Sequence, residues 1–144
     1  MLAKQPHSAS QHVHPPQFDD AVIERALPGA FRVAIRIMEG WNLSKAEIAR
    51  VLDIKPRTLA RYIKNGEPAE ASMSLVERIS YVLGIEKALE ILSGAEDAVH
   101  WINSPSQAPI FGGHRPRELI TSGYVADLYR TRQYLDAWRG ADFA

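Results

Sequence analysis

Residues 43–66, LSKAEIARVLDIKPRTLARYIKNG, constrain this 144-residue chain more than any other stretch. Ser44 with Glu47 forms a capping box, in which each side chain satisfies a backbone amide left unpaired at a helix start. Leu43 and Ile48 sit where a hydrophobic staple needs them, and Ile48, Ala49 and Leu52 then line one face. Asp53 ends that helix because it tolerates a left-handed backbone better than most residues with a Cβ. Pro56 opens the next helix, where its missing N–H costs nothing. At roughly 100° per residue, Leu59, Tyr62 and Ile63 share one sector of that second helix, and Arg57, Arg61 and Lys64 lie opposite. Asn65 and Gly66 stop it. Two short helices about a tight turn, the second with an apolar back and a basic front, read as a helix-turn-helix.

The pattern predicts helices elsewhere and no convincing strand. From Ala30 to Trp41, Phe31, Ala34, Ile35, Met38 and Trp41 fall on one face, while Val33 and Ile37 make a second apolar stripe. A helix apolar on two sides is expected to pack on both, either inside its domain or as half of a dimer seam. A further helix is expected from Ser74, with Leu75, Val76, Ile79, Val82 and Leu83 inward. Gly84 is read as its end, IEKALEIL as another short helix, and Ser93–Gly94 as a second break. Ala95 to Ile102 reads as helical through Ala98, Val99 and Ile102, and a last helix is expected from about Tyr124 to Arg139, with Tyr124, Leu128, Leu135 and Trp138 on one stripe. The fold class is therefore all-α, with about seven helices and no internal repeat. Residues 1–18 are polar, bear prolines, and read as a disordered arm. Residues 19–93 read as the helix-turn-helix domain and 94–144 as a C-terminal domain.

Charge locates function more sharply than composition does. Lysine and arginine together number 17 and aspartate and glutamate 17, which argues against a uniformly basic nucleic-acid binder. Between Ser44 and Lys64, however, six basic residues stand against Glu47 and Asp53 alone. Arg57 and Arg61 are placed to reach guanine O6 and N7, with Thr58 on the same helix. Lys45, Lys55 and Lys64, and Ser44 at the helix start, suit phosphates, which position a protein without specifying sequence. A basic helix face is by itself equally a solvated face; capping box, staple, turn and basic second helix coincide here, and that coincidence favours double-stranded DNA. Two features depart from the usual pattern. Asp53 stands where glycine is common, and Lys55 is a poor cap for the second helix, at a cost of about 1 kcal/mol.

Other chemistries find little support. With no cysteine, disulfides and thiolate metal sites are excluded. His7, His12 and His14 read as solvated tail residues rather than a metal site, and His100 and His114 lack a nucleophile, a carboxylate pair or a ligand partner on one helical face. No apolar run is long enough to span a bilayer and the N-terminus lacks a signal-type core, so no membrane association and a cytoplasmic location are expected. No cofactor and no catalytic residue are expected.

Residues 101–120, WINSPSQAPIFGGHRPRELI, hold three prolines and a glycine pair between helical patterns. Gly112 and Gly113 read as turn residues, since the strand and helix of a nucleotide loop are missing, and Trp101 and Leu119 read as core before contact. The segments AEIARVLDIKPRTLARYI, AVHWINSPSQAPIFGGHRPRELI and YRTRQYLDAWRG together resemble the Xre/MbcA/ParS antitoxins over about residues 25–140. Trp101, Asn103, Pro105, Gly113, Pro116, Glu118 and Leu119 stand at family-like positions. The resemblance implies an Xre-like helix-turn-helix followed by a toxin-binding domain, and a partner toxin of the RES type, an enzyme that destroys NAD. It implies that the C-terminal domain and tail cover the toxin's cleft and that the helix-turn-helix represses the chain's own operon. It assigns Trp101, Asn103, Phe111, Gly113, Pro116, Tyr134, Trp138 and Arg139 to forming or shaping the toxin surface. A homodimer, or a larger assembly with toxin, is expected because one helix-turn-helix reads one half-site. A stand-alone regulator, whose C-terminal half dimerises or senses a ligand, uses the same DNA-contacting residues.

Overall fold

The computed structural model describes residues 20–143, so the N-terminal arm and its three histidines lie outside the described residues. Seven helices follow in order: α1 (Asp20–Gly40), α2 (Lys45–Leu52), α3 (Pro56–Asn65), α4 (Met73–Ser93), α5 (Ala95–Asn103), α6 (Pro116–Ile120) and α7 (Val125–Phe143). The described residues contain no strand. None of these helices is long and apolar enough to cross a membrane.

α4 is the central element. Leu75, Ile79, Val82, Ile85, Ala88 and Leu89 are buried along it at helical spacing, and it packs against α1, α2, α5 and α7. Gly84 does not end this helix. The guanidinium of Arg132 on α7 occupies the space where a Cβ at position 84 would stand, so the glycine admits an approach between α4 and α7. The N-cap is Ser72, whose hydroxyl accepts the Leu75 N–H, rather than Ser74; the hydroxyl of Ser74 instead accepts from Arg78 Nε at 3.3 Å.

α1 also departs from its sequence reading. It begins ten residues before Ala30 and runs through Pro28. Proline removes one backbone hydrogen bond, but Leu27, buried in line with Phe31, Ala34, Ile35 and Met38, extends the inward stripe past it. The second stripe is only partly covered among the described residues, Ile37 packing against the core and Val33 not. Val33 is exposed and Ile37 half-buried. Trp41, just beyond α1, is buried and donates its indole N–H to Glu86 Oε1 at 3.2 Å.

The helix-turn-helix forms as its local grammar dictates. Ser44 Oγ accepts the Glu47 N–H at 3.1 Å, Ser44 N–H donates to Glu47 Oε1 at 2.9 Å, and Leu43 and Ile48 are buried. Asp53 adopts φ 54°, ψ 47°, the left-handed cap expected of it. Lys55 makes no side-chain cap bond to α3, and Pro56 takes its first turn. Phe31 of α1 meets Tyr62 of α3 edge to face at 6.2 Å.

The proline- and glycine-bearing segment contains a helix missed in the sequence, α6, whose start is held by Arg115 N–H donating to Glu118 Oε2 at 3.0 Å. The preceding turn is closed by Gly113 N–H donating to Ser106 O at 2.8 Å, with Gly113 at φ 88°. The last helix carries Leu128 and Leu135 inward, but Tyr124 and Trp138 of the expected stripe are exposed, Tyr124 because it precedes the helix.

Candidate DNA and partner surfaces

α3 presents the basic face. Leu59 and Tyr62 are buried, Thr58 is half-buried, and Arg57, Arg61 and Lys64 face solvent. Among the described residues Lys55, Arg57 and Lys64 carry no ion pair, and Arg61 lies over the Tyr62 ring with its guanidinium carbon 5.6 Å from the centroid. Lys45 is placed differently: its Nζ pairs with Glu39 at 2.7 Å. Both groups are about half exposed, so the pair is weak enough to be exchanged for a phosphate. Ser44 is committed to its capping box. A row of unpaired cations on an exposed helix, backed by a rigid apolar face, is suited to a polyanion's groove.

A second surface gathers four of the sequence-assigned partner residues. Trp101 of α5 meets Phe111 of the turn at 5.5 Å and lies nearly parallel to Tyr134 of α7 at 6.5 Å. Phe111 meets Tyr134 edge to face at 5.4 Å, and Tyr134 in turn meets Trp138 at 6.1 Å. The cluster grades from buried Phe111 through half-buried Trp101 and Tyr134 to Trp138, which is 55% exposed. Ile110, Arg130, Gln133, Tyr134 and Ala137 line a shallow groove on its flank. Arg139 is held within the chain by one ion pair to Asp136, at 3.8 Å, and its Nε is enclosed with no acceptor among the described residues. An exposed indole beside a weakly satisfied arginine is the composition of an interface anchor.

Asn103, Gly113 and Pro116 are turned to structural work. Asn103 donates to the carbonyls of Trp41 and Val99, at 3.2 and 2.9 Å, and accepts from Arg117 Nη1 at 2.5 Å. Gly113 closes the turn, and Pro116 is buried at the start of α6. All three are engaged within the fold.

Arg117 was not anticipated, and it bolts the two halves together. Besides Asn103, its Nη2 donates to Asn42 O at 3.1 Å and to Glu47 Oε1 at 2.7 Å. Glu47 thus serves both the capping box and the C-terminal segment. Burial pushes its carboxyl up, but the bonds from the Ser44 N–H and from Arg117, with the arginine's charge and the Ser44 hydroxyl, outweigh this and hold it below the ordinary glutamate range. Arg78 does similar work from α4: buried, it donates Nη1 to Val51 O and Gly123 O at 3.1 and 3.0 Å, so the end of α2 and the loop before α7 share one cation.

We expect Arg117→Ala to lower unfolding stability by about 2 kcal/mol in urea titration, from the loss of charge-assisted bonds at a mostly buried site. The deficit should shrink as pH falls below about 4, because a carboxyl depressed in the folded state contributes stability above its unfolded pKa and loses it as it protonates. A deficit constant between pH 7 and pH 3 would remove Glu47 from the account.

These features define a class: an all-helical protein with a helix-turn-helix whose basic helix is exposed, bolted to a C-terminal helical segment ending in an aromatic surface. Residues 20–84 match the family model of the antitoxin Xre-like helix-turn-helix domain, and residues 87–141 that of the antitoxin Xre/MbcA/ParS C-terminal toxin-binding domain. The chain belongs to the Xre/MbcA/ParS antitoxin family. The two matches meet inside α4. A curated relative, the uncharacterized protein y4oB of Sinorhizobium fredii (strain NBRC 101917 / NGR234), is 38% identical over 127 residues, which cover 87% of this chain and 92% of the relative. A solved chain from the M. tuberculosis MbcT-MbcA toxin-antitoxin complex is 20% identical, covering 72% of this chain and 87% of that one, with a TM-score of 0.46.

Proposed function

We propose that this chain is the antitoxin of a type II toxin-antitoxin pair, that its C-terminal segment binds and neutralises a RES-type, NAD-degrading toxin, and that α3 represses the operon encoding both. The observation that carries the reading is the tandem match to an antitoxin helix-turn-helix and a toxin-binding domain. It is supported by the exposed cations of α3 and by an aromatic cluster graded outward to Trp138.

In this reading Arg57 and Arg61 read base edges while Lys45, Lys55 and Lys64, with Thr58, meet the backbone. Trp138 and Arg139 anchor the toxin over Tyr134 and Trp101, and Phe111, Asn103, Gly113 and Pro116 hold that platform in shape. Residues 19–93 carry the DNA role and 94–144 the toxin role, joined by α4. The exposed side of α1, with Val22 and Val33, serves as the seam for a second copy, because reading a two-fold operator takes two helix-turn-helix units.

The deciding experiment is co-expression with the adjacent gene product. A stable complex in which cellular NAD is preserved, against depletion when the neighbour is expressed alone, is the expected result. A neighbour that does not co-purify, or that leaves NAD unchanged on its own, would overturn the assignment.

A further inference from the structure

We infer that Arg32 and Arg36 of α1 form a second phosphate-contacting site, which extends the DNA footprint past the C-terminal end of α3. The inference rests on the reading of α3 as the DNA-contacting helix.

The two arginines lie one turn apart on a flank of α1 that borders α3. With Phe31, Ile35, Ile63 and Gly66 they line a shallow groove beside the end of that helix. Both are exposed, and neither forms an ion pair among the described residues. Glu39, the nearest acidic residue along α1, is occupied by Lys45. Glu67 and Glu70, in the loop that follows Gly66, are exposed and bond neither arginine.

The end of a helix is a poor place for a phosphate, since its unpaired carbonyls carry partial negative charge. Arg32 changes that locally. Its Nη1 donates to the Gly66 carbonyl at 3.0 Å, which places a full positive charge against the negative end of α3 while leaving its other N–H groups available. Lys64 in the last turn adds a second. Arg36 makes no hydrogen bond within the described residues and has no structural task there. A DNA strand leaving α3 along this flank meets three cations in succession, none of which reads a base.

The test measures affinity by fluorescence anisotropy, from 50 to 200 mM salt, for two duplexes of equal length: the region upstream of this gene and a scrambled sequence. Each phosphate contact contributes about 0.9 to the slope of log affinity against log salt. Arg36→Ala in the full-length chain should lower the slope by about that amount on both duplexes and weaken binding several-fold on each, with Arg36→Lys restoring it. Arg32→Ala should act in the same direction, and Arg36→Ala, which disturbs no bond, guards against an effect of misfolding. An unchanged slope in Arg36→Ala, or a loss confined to the upstream duplex, overturns the site. If Arg57→Ala with Arg61→Ala then still abolishes binding, the reading of α3 survives without it. If the unaltered chain binds neither duplex, both fall together.

Discussion

Arg57→Ala combined with Arg61→Ala should abolish binding to the upstream duplex while leaving capture of the toxin intact. Both guanidinium groups are exposed on the side of α3 opposite Leu59 and Tyr62, so their removal opens no cavity. Arg57 has no partner among the described residues. Arg61 gives up only its place over the Tyr62 ring, worth about 0.5–1 kcal/mol at an exposed site. The melting temperature should therefore change little. Against this stands the loss of two bidentate guanine contacts, each contributing about 1–3 kcal/mol of discrimination. Taken together they amount to a fall in specific affinity of roughly thirty-fold to twenty-thousand-fold at fixed salt. Gel-shift titration with and without toxin separates the outcomes. Equal loss of DNA and toxin binding would refute the division of labour between the halves.

That separation is not trivial, because the halves are not independent bodies. Glu47 starts the helix that braces α3 and accepts from Arg117 of α6, and Arg78 bonds to both the last turn of α2 and the loop before α7. The substitutions at 57 and 61 avoid every member of this bolt. Variants at 47, 78 or 117 do not, and are expected to disturb both activities through the shared scaffold.

The contrast also marks what could be read from the sequence. Ser44, Glu47, Asp53 and Pro56 act over three or four residues, so their roles are visible in the local order of the chain. Arg117 acts over 14, 70 and 75 residues, and nothing near it in the sequence announces its partners. Gly84, read as a helix end, and Pro28, which stands inside α1, depart from their propensities for a related reason. Each is a helix breaker by propensity, yet a neighbour decides its place: Arg132 lies over the one, and the buried stripe beginning at Leu27 carries the helix through the other. On the second surface, Trp101, Phe111, Tyr134 and Trp138 could be named from a family pattern, but their gradation from core to solvent belongs to ring contacts that join α5, the turn after it and α7. Asn103 shows the opposite case: a residue at a family-like position turns out to spend both ends of its side-chain amide on its own fold.

The gradation gives the proposed toxin surface its sharpest test. Trp138→Ala should weaken toxin binding by at least about 2 kcal/mol, or some thirty-fold, the cost of removing a large aromatic anchor from the centre of an interface. Its 55% exposure means that the free chain loses little, one ring contact with Tyr134, so folding and DNA binding should persist. Removing residues 136–144 should go further and release toxicity on co-expression, since Arg139 leaves with the indole. Leu135, the last buried side chain of α7 among the described residues, is kept in that truncation, and so are the aromatic contacts among Trp101, Phe111 and Tyr134. Truncation also cuts Asp136 from Arg132, a partly exposed pair whose loss is small beside that of an anchor. Growth on toxin co-expression reads the truncation, and calorimetric titration reads Trp138→Ala. If growth is unchanged and affinity falls less than two-fold, α7 beyond Leu135 is not the toxin's contact. The flanking groove of Ile110, Arg130 and Gln133 would then be the next surface to alter.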